Sequence, residues 1–121
     1  MRRFPARLAA ALIASLVPAT AFPHAFLDHA VPPVGGTVAT APREIRIFFS
    51  EAVEPAFSAV TLAITNGKPV AVGKAAVDPG DPRQLVLPVP PLGPGDYEVN
   101  WHVVSVDAHR TEGHYGFTVR P

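Results

Sequence analysis

The feature that most constrains the fold is a pair of alternating segments near the carboxyl terminus. Apolar residues occupy every second position between residues 97 and 103, and the alternation returns between residues 115 and 119. Strict alternation places apolar side chains on one face of a β-strand and the others on the opposite face. The sequence therefore predicts two strands with one buried face each, separated by a polar corner that contains Asp107 and His109.

The rest of the chain predicts further short strands and no long helix. No eleven-residue window has helical periodicity, and the 15 prolines suit turns and strand edges rather than helix interiors. Five more strands are predicted, over residues 24–30, 43–50, 60–64, 70–77 and 84–89. A single helical turn is predicted at residues 53–57. The pattern is typical of an all-β domain, a seven-stranded antiparallel Greek-key sandwich or barrel of immunoglobulin-like or cupredoxin-like topology.

The amino terminus has the pattern of a secretory signal peptide, predicted over residues 1–23. Three early arginines precede a short apolar run, and Ala19-Thr20-Ala21 supplies the small residues that signal peptidase requires. The run is shorter than the roughly 20 apolar residues of a membrane-spanning helix. Cleavage is expected after Ala21 or Pro23, which leaves a single domain over residues 24–121.

The absence of sulfur in that domain excludes several kinds of chemistry. The chain has no cysteine, and its one methionine is Met1. A disulfide, a cysteine nucleophile and a soft site for Cu(I) are therefore excluded, and any metal must be bound by nitrogen and oxygen. Removal of the three signal-peptide arginines leaves seven basic against ten acidic residues, which disfavours nucleic acid as a partner.

A carboxylate and an imidazole lie together at the polar corner. Asp107 and His109 are two residues apart, so in an extended chain their side chains point the same way. His24, close to a new amino terminus, would add a third group, since an α-amine and an imidazole can both bind one ion. Imidazole with carboxylate suits Cu(II) in tetragonal geometry. The alternative is a corner held by a simple hydrogen bond, without a metal.

Ser105, Asp107 and His109 also contain the residue types of a catalytic triad. Spaced along one face of one strand, however, they would lie about 6–7 Å apart, too far for the hydrogen bonds of a triad. The G-x-S-x-G motif of a nucleophile elbow is missing as well. The sequence thus disfavours nucleophilic catalysis.

The three other histidines are predicted to lie on surfaces. His102 alternates with Trp101 and therefore belongs to the face opposite the core, and His114 has the same relation to Tyr115. His29 lies in the first edge strand. No metal is assigned to these three side chains.

Taken together, several motifs resemble the CopC family of small periplasmic copper-binding proteins of bacterial copper resistance. The resemblance covers essentially all of residues 24–121. It rests on these motifs: His24-Ala25-x-Leu27 with Pro32 and Gly35, Ile47-Phe48-Phe49-Ser50-Glu51, Leu92-x-x-Gly95-x-Tyr97-x-Val99-x-Trp101, and Val104-Ser105-x-Asp107-x-His109 with Gly113 and Phe117-x-Val119.

The resemblance implies a seven-stranded Greek-key barrel or sandwich that holds one Cu(II) ion. The ligands would be the amine and imidazole of an amino-terminal histidine with the two side chains of the Asp-x-His motif, here His24, Asp107 and His109. Some members also have a methionine-rich loop for Cu(I). The corresponding residues 66–81 contain no methionine, so no Cu(I) site is expected.

One residue departs from the family pattern. The residue before the histidine is usually alanine, so that cleavage exposes the histidine, whereas here it is Pro23. Cleavage after Ala21 would instead leave the histidine third in the mature chain. Chelation through the intervening amides would then be blocked, because proline has no N–H to lose. The role of the amine therefore depends on where the chain is cut.

The resemblance implies a periplasmic, non-enzymatic Cu(II)-binding protein that sequesters, buffers or delivers copper in resistance or homeostasis. The candidate partners are the copper ion and an inner-membrane copper transporter, and the protein is expected to be a monomer. Two alternatives remain open. One is a small copper oxidase or monooxygenase-like enzyme with an amino-terminal histidine ligand, and the other is a metal-free β-sandwich interaction domain.

Overall fold

The computed structural model describes residues 25–121, which form nine β-strands and one short 3-10 helix. The strands are β1 Leu27–Val31, β2 Thr37–Val38, β3 Glu44–Phe49, β4 Ala59–Ile64, β5 Pro69–Val70, β6 Ala76–Asp78, β7 Asp81–Pro88, β8 Gly95–Val104 and β9 Arg110–Val119. The 3-10 helix, Pro55–Phe57, confirms the predicted helical turn. The predicted signal peptide lies outside the described residues. No helix within residues 25–121 is long and apolar enough to cross a membrane.

The strands form two sheets, which confirms the predicted all-β sandwich. One sheet has the order β1-β3-β7-β6 and the other the order β2-β9-β8-β4-β5. The structure has two strands more than the predicted seven, because β2 is new and the predicted strand over residues 70–77 is divided into β5 and β6. Strands β2 and β5 have two residues each and form the edges of the larger sheet. The pairing of β2 with β9 is parallel, an exception to the predicted antiparallel arrangement.

The predicted strand over residues 70–77 is interrupted. Strand β5 ends at Val70 and β6 begins at Ala76, and the two belong to different sheets. The intervening residues 71–75 have no regular structure. The chain therefore uses this segment to cross from one sheet to the other, a change that an alternating pattern alone does not reveal.

The longest pairing joins β8 and β9, as the alternating segments predict. It runs antiparallel through ten pairs, from Gly95 opposite Val119 to Val104 opposite Arg110. One face of this ladder is buried and the other faces solvent. The side chains of its buried face are those of Tyr97, Val99, Trp101, Val103, Tyr115, Phe117 and Val119.

The core lies between the two sheets. The smaller sheet contributes Ile45, Ile47 and Phe49 from β3, and Phe49 meets Trp101 of the larger sheet edge-on, with ring centroids 5.2 Å apart. Burial of each large apolar side chain is worth about 1.5–3 kcal/mol. The fold is therefore stabilised by apolar packing that involves neither Asp107 nor His109.

Gly113 is needed where β9 passes Trp101. The two residues are direct partners across the β8–β9 ladder. A Cβ atom at position 113 would lie 2.5 Å from the indole ring, closer than atoms approach in folded proteins. The absence of a side chain at Gly113 thus allows the indole to lie against the β9 backbone.

Two buried tyrosines of the ladder should differ in what their hydroxyl groups contribute to stability. The Tyr97 hydroxyl donates a hydrogen bond of 2.7 Å to the Gly93 carbonyl, whereas the Tyr115 hydroxyl is buried with no partner among residues 25–121. We expect Tyr97→Phe to lower the free energy of unfolding by about 1 kcal/mol and Tyr115→Phe to leave it unchanged or raise it. Chemical denaturation of the two variants tests this, and an equal loss in both would contradict it.

Candidate metal centre

The polar corner is a tight turn rather than extended chain. Strand β8 ends at Val104 and β9 begins at Arg110. Within the turn, the Ser105 N–H donates to the His109 carbonyl at 2.9 Å, and the Ala108 N–H donates to the Ser105 carbonyl at 2.8 Å. Ala108 has a φ of 69°, in the left-handed region that a residue with a Cβ seldom occupies. The expectation that Asp107 and His109 would lie side by side in extended chain is therefore wrong about the backbone.

The turn nevertheless brings the two predicted side chains together. Asp107 Oδ2 lies 3.1 Å from His109 Nδ1, and the side chains are 37% and 39% exposed. The imidazole and the carboxylate are thus adjacent, and both side chains are accessible from solvent, as a binding site for an ion requires.

Ser105, on the buried side of the turn, holds the Asp107 carboxylate in place. Its side chain is buried, its hydroxyl donates to Asp107 Oδ1, and its oxygen accepts from the His109 N–H at 3.3 Å. The Ser105 hydrogen bond is the main reason that the pKa of Asp107 lies below its ordinary value, and His109 adds to the effect while burial opposes it. The corner therefore presents an ionised carboxylate at neutral pH.

This contact also corrects the strand-spacing argument against a triad. Ser105 lies within hydrogen-bond reach of Asp107 because the chain turns, so the predicted separation of about 6–7 Å between residues two apart on one strand does not apply. The conclusion against nucleophilic catalysis rests instead on burial. Ser105 is 1% exposed and its hydroxyl proton is directed to the carboxylate. It is unable to reach a substrate from this position.

The first described residues of the chain lie beside the start of β9. Ala25 is fully buried, and its carbonyl accepts a hydrogen bond of 2.7 Å from the Thr111 hydroxyl. The next residue, Phe26, is bonded to the residue that follows β3, since its N–H donates to Ser50 Oγ at 2.9 Å. Thr111 is only two residues beyond His109. His24, the third predicted ligand, lies outside the described residues, and it directly precedes this anchored point.

Within residues 25–121, no three His, Cys, Asp or Glu side chains are already gathered as a metal site. The described part of the chain thus contributes Asp107 and His109, a pair. The sequence prediction assigns the third ligand to His24.

The remaining histidines lie apart from the corner pair. His29, on β1 of the smaller sheet, is exposed, pairs with Asp28 at 2.8 Å and stacks on Phe48 with ring centroids 4.0 Å apart. His102 and His114 lie on the solvent face of β8 and β9, as the alternation predicts.

Comparison with known proteins gives consistent matches over most of the chain. Residues 27–120 match the model of the CopC domain. Protein YobA of Escherichia coli strain K12 is 40% identical over 112 residues, which are 92% of this chain and 90% of that protein. A shared segment also occurs in a longer protein: the Copper transport protein CutJ of Bacillus subtilis is 27% identical over 85% of this chain but only 19% of its own length.

Two solved structures show the same architecture. The crystal structure of CopC from Methylosinus trichosporium OB3b has a TM-score of 0.76 and 40% identity, over 81% of this chain and 95% of that one. PcoC, a methionine-rich copper resistance protein from Escherichia coli, has a TM-score of 0.73 and 36% identity, over 80% and 99%. Sequence and fold agree, and the chain belongs to the CopC family.

Proposed function

We propose that this protein binds one Cu(II) ion in the periplasm and that it sequesters, buffers or delivers copper. The observation that carries the proposal is the corner pair, in which the Asp107 carboxylate lies 3.1 Å from the His109 imidazole. The bond between Thr111 and Ala25 supports His24 as the third ligand, because it holds Ala25, the residue that follows His24 in the sequence, beside the start of β9.

The donor set favours Cu(II) over Cu(I). Imidazole and carboxylate groups suit Cu(II), whereas thiolate and thioether sulfur select Cu(I). PcoC, a relative of 36% identity, is described as methionine rich, but this chain has no methionine beyond Met1 and no cysteine. The proposal is therefore that the corner holds one Cu(II) ion and that the chain lacks the Cu(I) site that a methionine-rich loop would provide.

The form of the third ligand depends on processing of the proposed signal peptide. A cut after Pro23 would make His24 the first residue of a domain over residues 24–121, so its amine and imidazole would both bind the ion. A cut after Ala21 would leave the imidazole alone, since Pro23 has no N–H to take part. Mass spectrometry of the mature amino terminus distinguishes the two cases.

The proposed acceptor is a copper transporter of the inner membrane. The support comes from the B. subtilis protein CutJ, a copper transport protein in which a segment similar to this chain makes up about a fifth of the whole. In that organism the similar segment and the transport protein are one chain. Where the two are separate proteins, we propose that the transporter is the partner of the small one. The present chain is proposed to act as a monomer that meets the transporter transiently.

The proposed role is binding and not catalysis. Trp101, the one tryptophan in the chain, is 8% exposed and packs in the core, so it offers no aromatic surface to a bound polymer. An assay for ascorbate- or peroxide-driven turnover by the copper-loaded protein separates the binding protein from a copper oxidase. A Cu(II) titration separates both from a metal-free interaction domain.

Substitution of single residues should identify the corner as the copper site. Asp107→Ala and His109→Ala should each weaken Cu(II) binding by more than about 10- to 100-fold, the usual cost of losing even an outer partner of a ligand. His24→Ala should weaken it at least as much. His102→Ala and His114→Ala serve as controls and should leave the affinity of this site unchanged. The measurements are competitive Cu(II) titration and the paramagnetic resonance spectrum.

One outcome would place the ion elsewhere. If His24→Ala changes neither affinity nor spectrum, while His29→Ala or His114→Ala abolishes binding, then the corner assignment is wrong even though the protein binds copper.

Copper binding should weaken as the pH falls from 7 to 5. An imidazole binds metal only when neutral, and its ordinary pKa is about 6.5. Asp107 should stay ionised throughout, because the Ser105 hydrogen bond holds its pKa below the ordinary value. Proton competition in this range therefore comes from imidazole. An affinity that is flat between pH 7 and 5 would be incompatible with a histidine-containing site.

The domain should fold without copper and be stabilised by it. The core between the sheets is complete without the corner side chains, unlike small zinc modules whose fold depends on the ion. Binding to the native state alone adds about 2.7 kcal/mol at a free ligand concentration of 100 Kd, so the melting temperature should rise with Cu(II) concentration. Circular dichroism of the metal-free protein checks the first point, and an unfolded apo protein at neutral pH would contradict it.

A further inference from the structure

A second group of metal-ligating side chains lies on the solvent face of the β8–β9 ladder and includes neither Asp107 nor His109. His102 is the direct partner of Glu112, and Asn100 is the direct partner of His114. All four side chains are exposed on the same face. We refer to His102, Glu112, His114 and Asn100 as the sheet-face patch.

The spacing of the patch suits a shared ion. Direct cross-strand neighbours have Cβ atoms about 4.5–5.5 Å apart, and diagonal neighbours about 7–8 Å. His102 and Glu112 have the first relation, and His102 and His114 have the second. Imidazole and carboxylate groups extend several ångströms beyond Cβ, so the three can converge on a point above the sheet.

The patch side chains are not engaged by other groups. None of His102, Glu112 and His114 makes a side-chain hydrogen bond, ion pair or ring contact with another of the residues 25–121. Two imidazoles beside a carboxylate thus remain unsatisfied by the protein. Groups of these types, adjacent and without partners, are the usual ligands of Zn(II) and Cu(II).

The neighbouring strands leave room for the side chains to turn inward. On β4, the residues opposite His102 and Asn100 are Ala59 and Thr61, both small. On the other side, β2 pairs only with Thr118 and Val119 of β9 and does not extend to Glu112. The strands that flank the ladder therefore leave space beside His102 and Asn100, while Phe57 of the 3-10 helix lines a groove next to His102.

The local charge permits a cation. This groove of about 1050 Å³ extends from the turn residues Ser105 and Ala108 over His102 and Glu112. It is lined also by Glu54, which adds negative charge, and by Arg110, which opposes it. The groove admits water and ions to one side of the patch. With one arginine against two carboxylates, the balance remains favourable to a divalent ion.

We propose that the sheet-face patch is a second metal site, in which His102, Glu112 and His114 bind a divalent borderline cation, Cu(II) or Zn(II), and the Asn100 amide oxygen stands beside them as a further donor. The site is weaker than the corner. Its ligands are not gathered beforehand, so binding has to order three exposed side chains. It shares no residue with the corner, and it holds whether or not the corner binds copper.

Calorimetric titration of the mature protein with Zn(II), and separately with Cu(II), tests the patch. Two classes of binding are expected in the wild type. The double variant His102→Ala/His114→Ala should lose the weaker class, and Glu112→Gln should weaken it at least about tenfold. His29→Ala is the matched control, since it removes an exposed histidine from the other sheet, and it should retain both classes. Asp107→Ala should keep the weaker class.

Resonances of the histidine side chains in the Zn(II) titration locate the ion. Those of His102 and His114 should shift together over the weaker phase, while that of His29 should not move with them. Survival of the weaker class in the double variant, or equal loss of it in His29→Ala, would overturn the proposal. So would titrations in which His102 and His114 remain unmoved. All the substituted side chains are exposed, so we expect every variant to fold. Thermal melting of each variant checks this.

Discussion

The ten-pair ladder between β8 and β9 is the constraint on which the rest of the structure depends. Its inner face supplies the aromatic and aliphatic side chains that pack against the smaller sheet. Its end forms the turn that holds Asp107 beside His109, and its outer face presents His102 and His114. A shift of the register by one residue would exchange the two faces along the whole ladder. Core, corner and outer face are therefore fixed by the same set of backbone hydrogen bonds.

Ser105 links the packing of the domain to the chemistry of the corner. It is buried at the end of the core face, yet its hydroxyl and backbone groups hold the turn and the Asp107 carboxylate. An exposed carboxylate without such a partner would be free to adopt several rotamers. Here one is selected by a residue that belongs to the interior, so the orientation of the corner is as well defined as the core beneath it.

How much the sequence predicts depends on whether a feature is periodic. The alternation in residues 97–103 and 115–119 predicts both long strands and their buried faces, since period-2 patterns follow from strand geometry. Strands of two residues, such as β2, are too short to show a period. The sequence predicts that Asp107 and His109 lie close together, but on the assumption of an extended chain. In the structure they meet because Ala108 has a left-handed backbone conformation, which an alanine in a sequence does not predict.

The sequence alone does not predict the contacts of Ser105 or the neighbours of His102, because both depend on where the strands end and how the chain turns between them. Spacing along a strand misplaces Ser105 because the strand ends just before it. The pairing of His102 with Glu112 depends on the length of the turn between the strands, and one residue more or less would pair His102 differently. The bond between Thr111 and Ala25 spans 86 residues. Closing so long a loop costs more entropy than local contacts do, so we expect this bond to form after the local strand pairings. If His24 completes the corner, the domain acquires its metal as a finished fold, and copper takes no part in guiding the chain there.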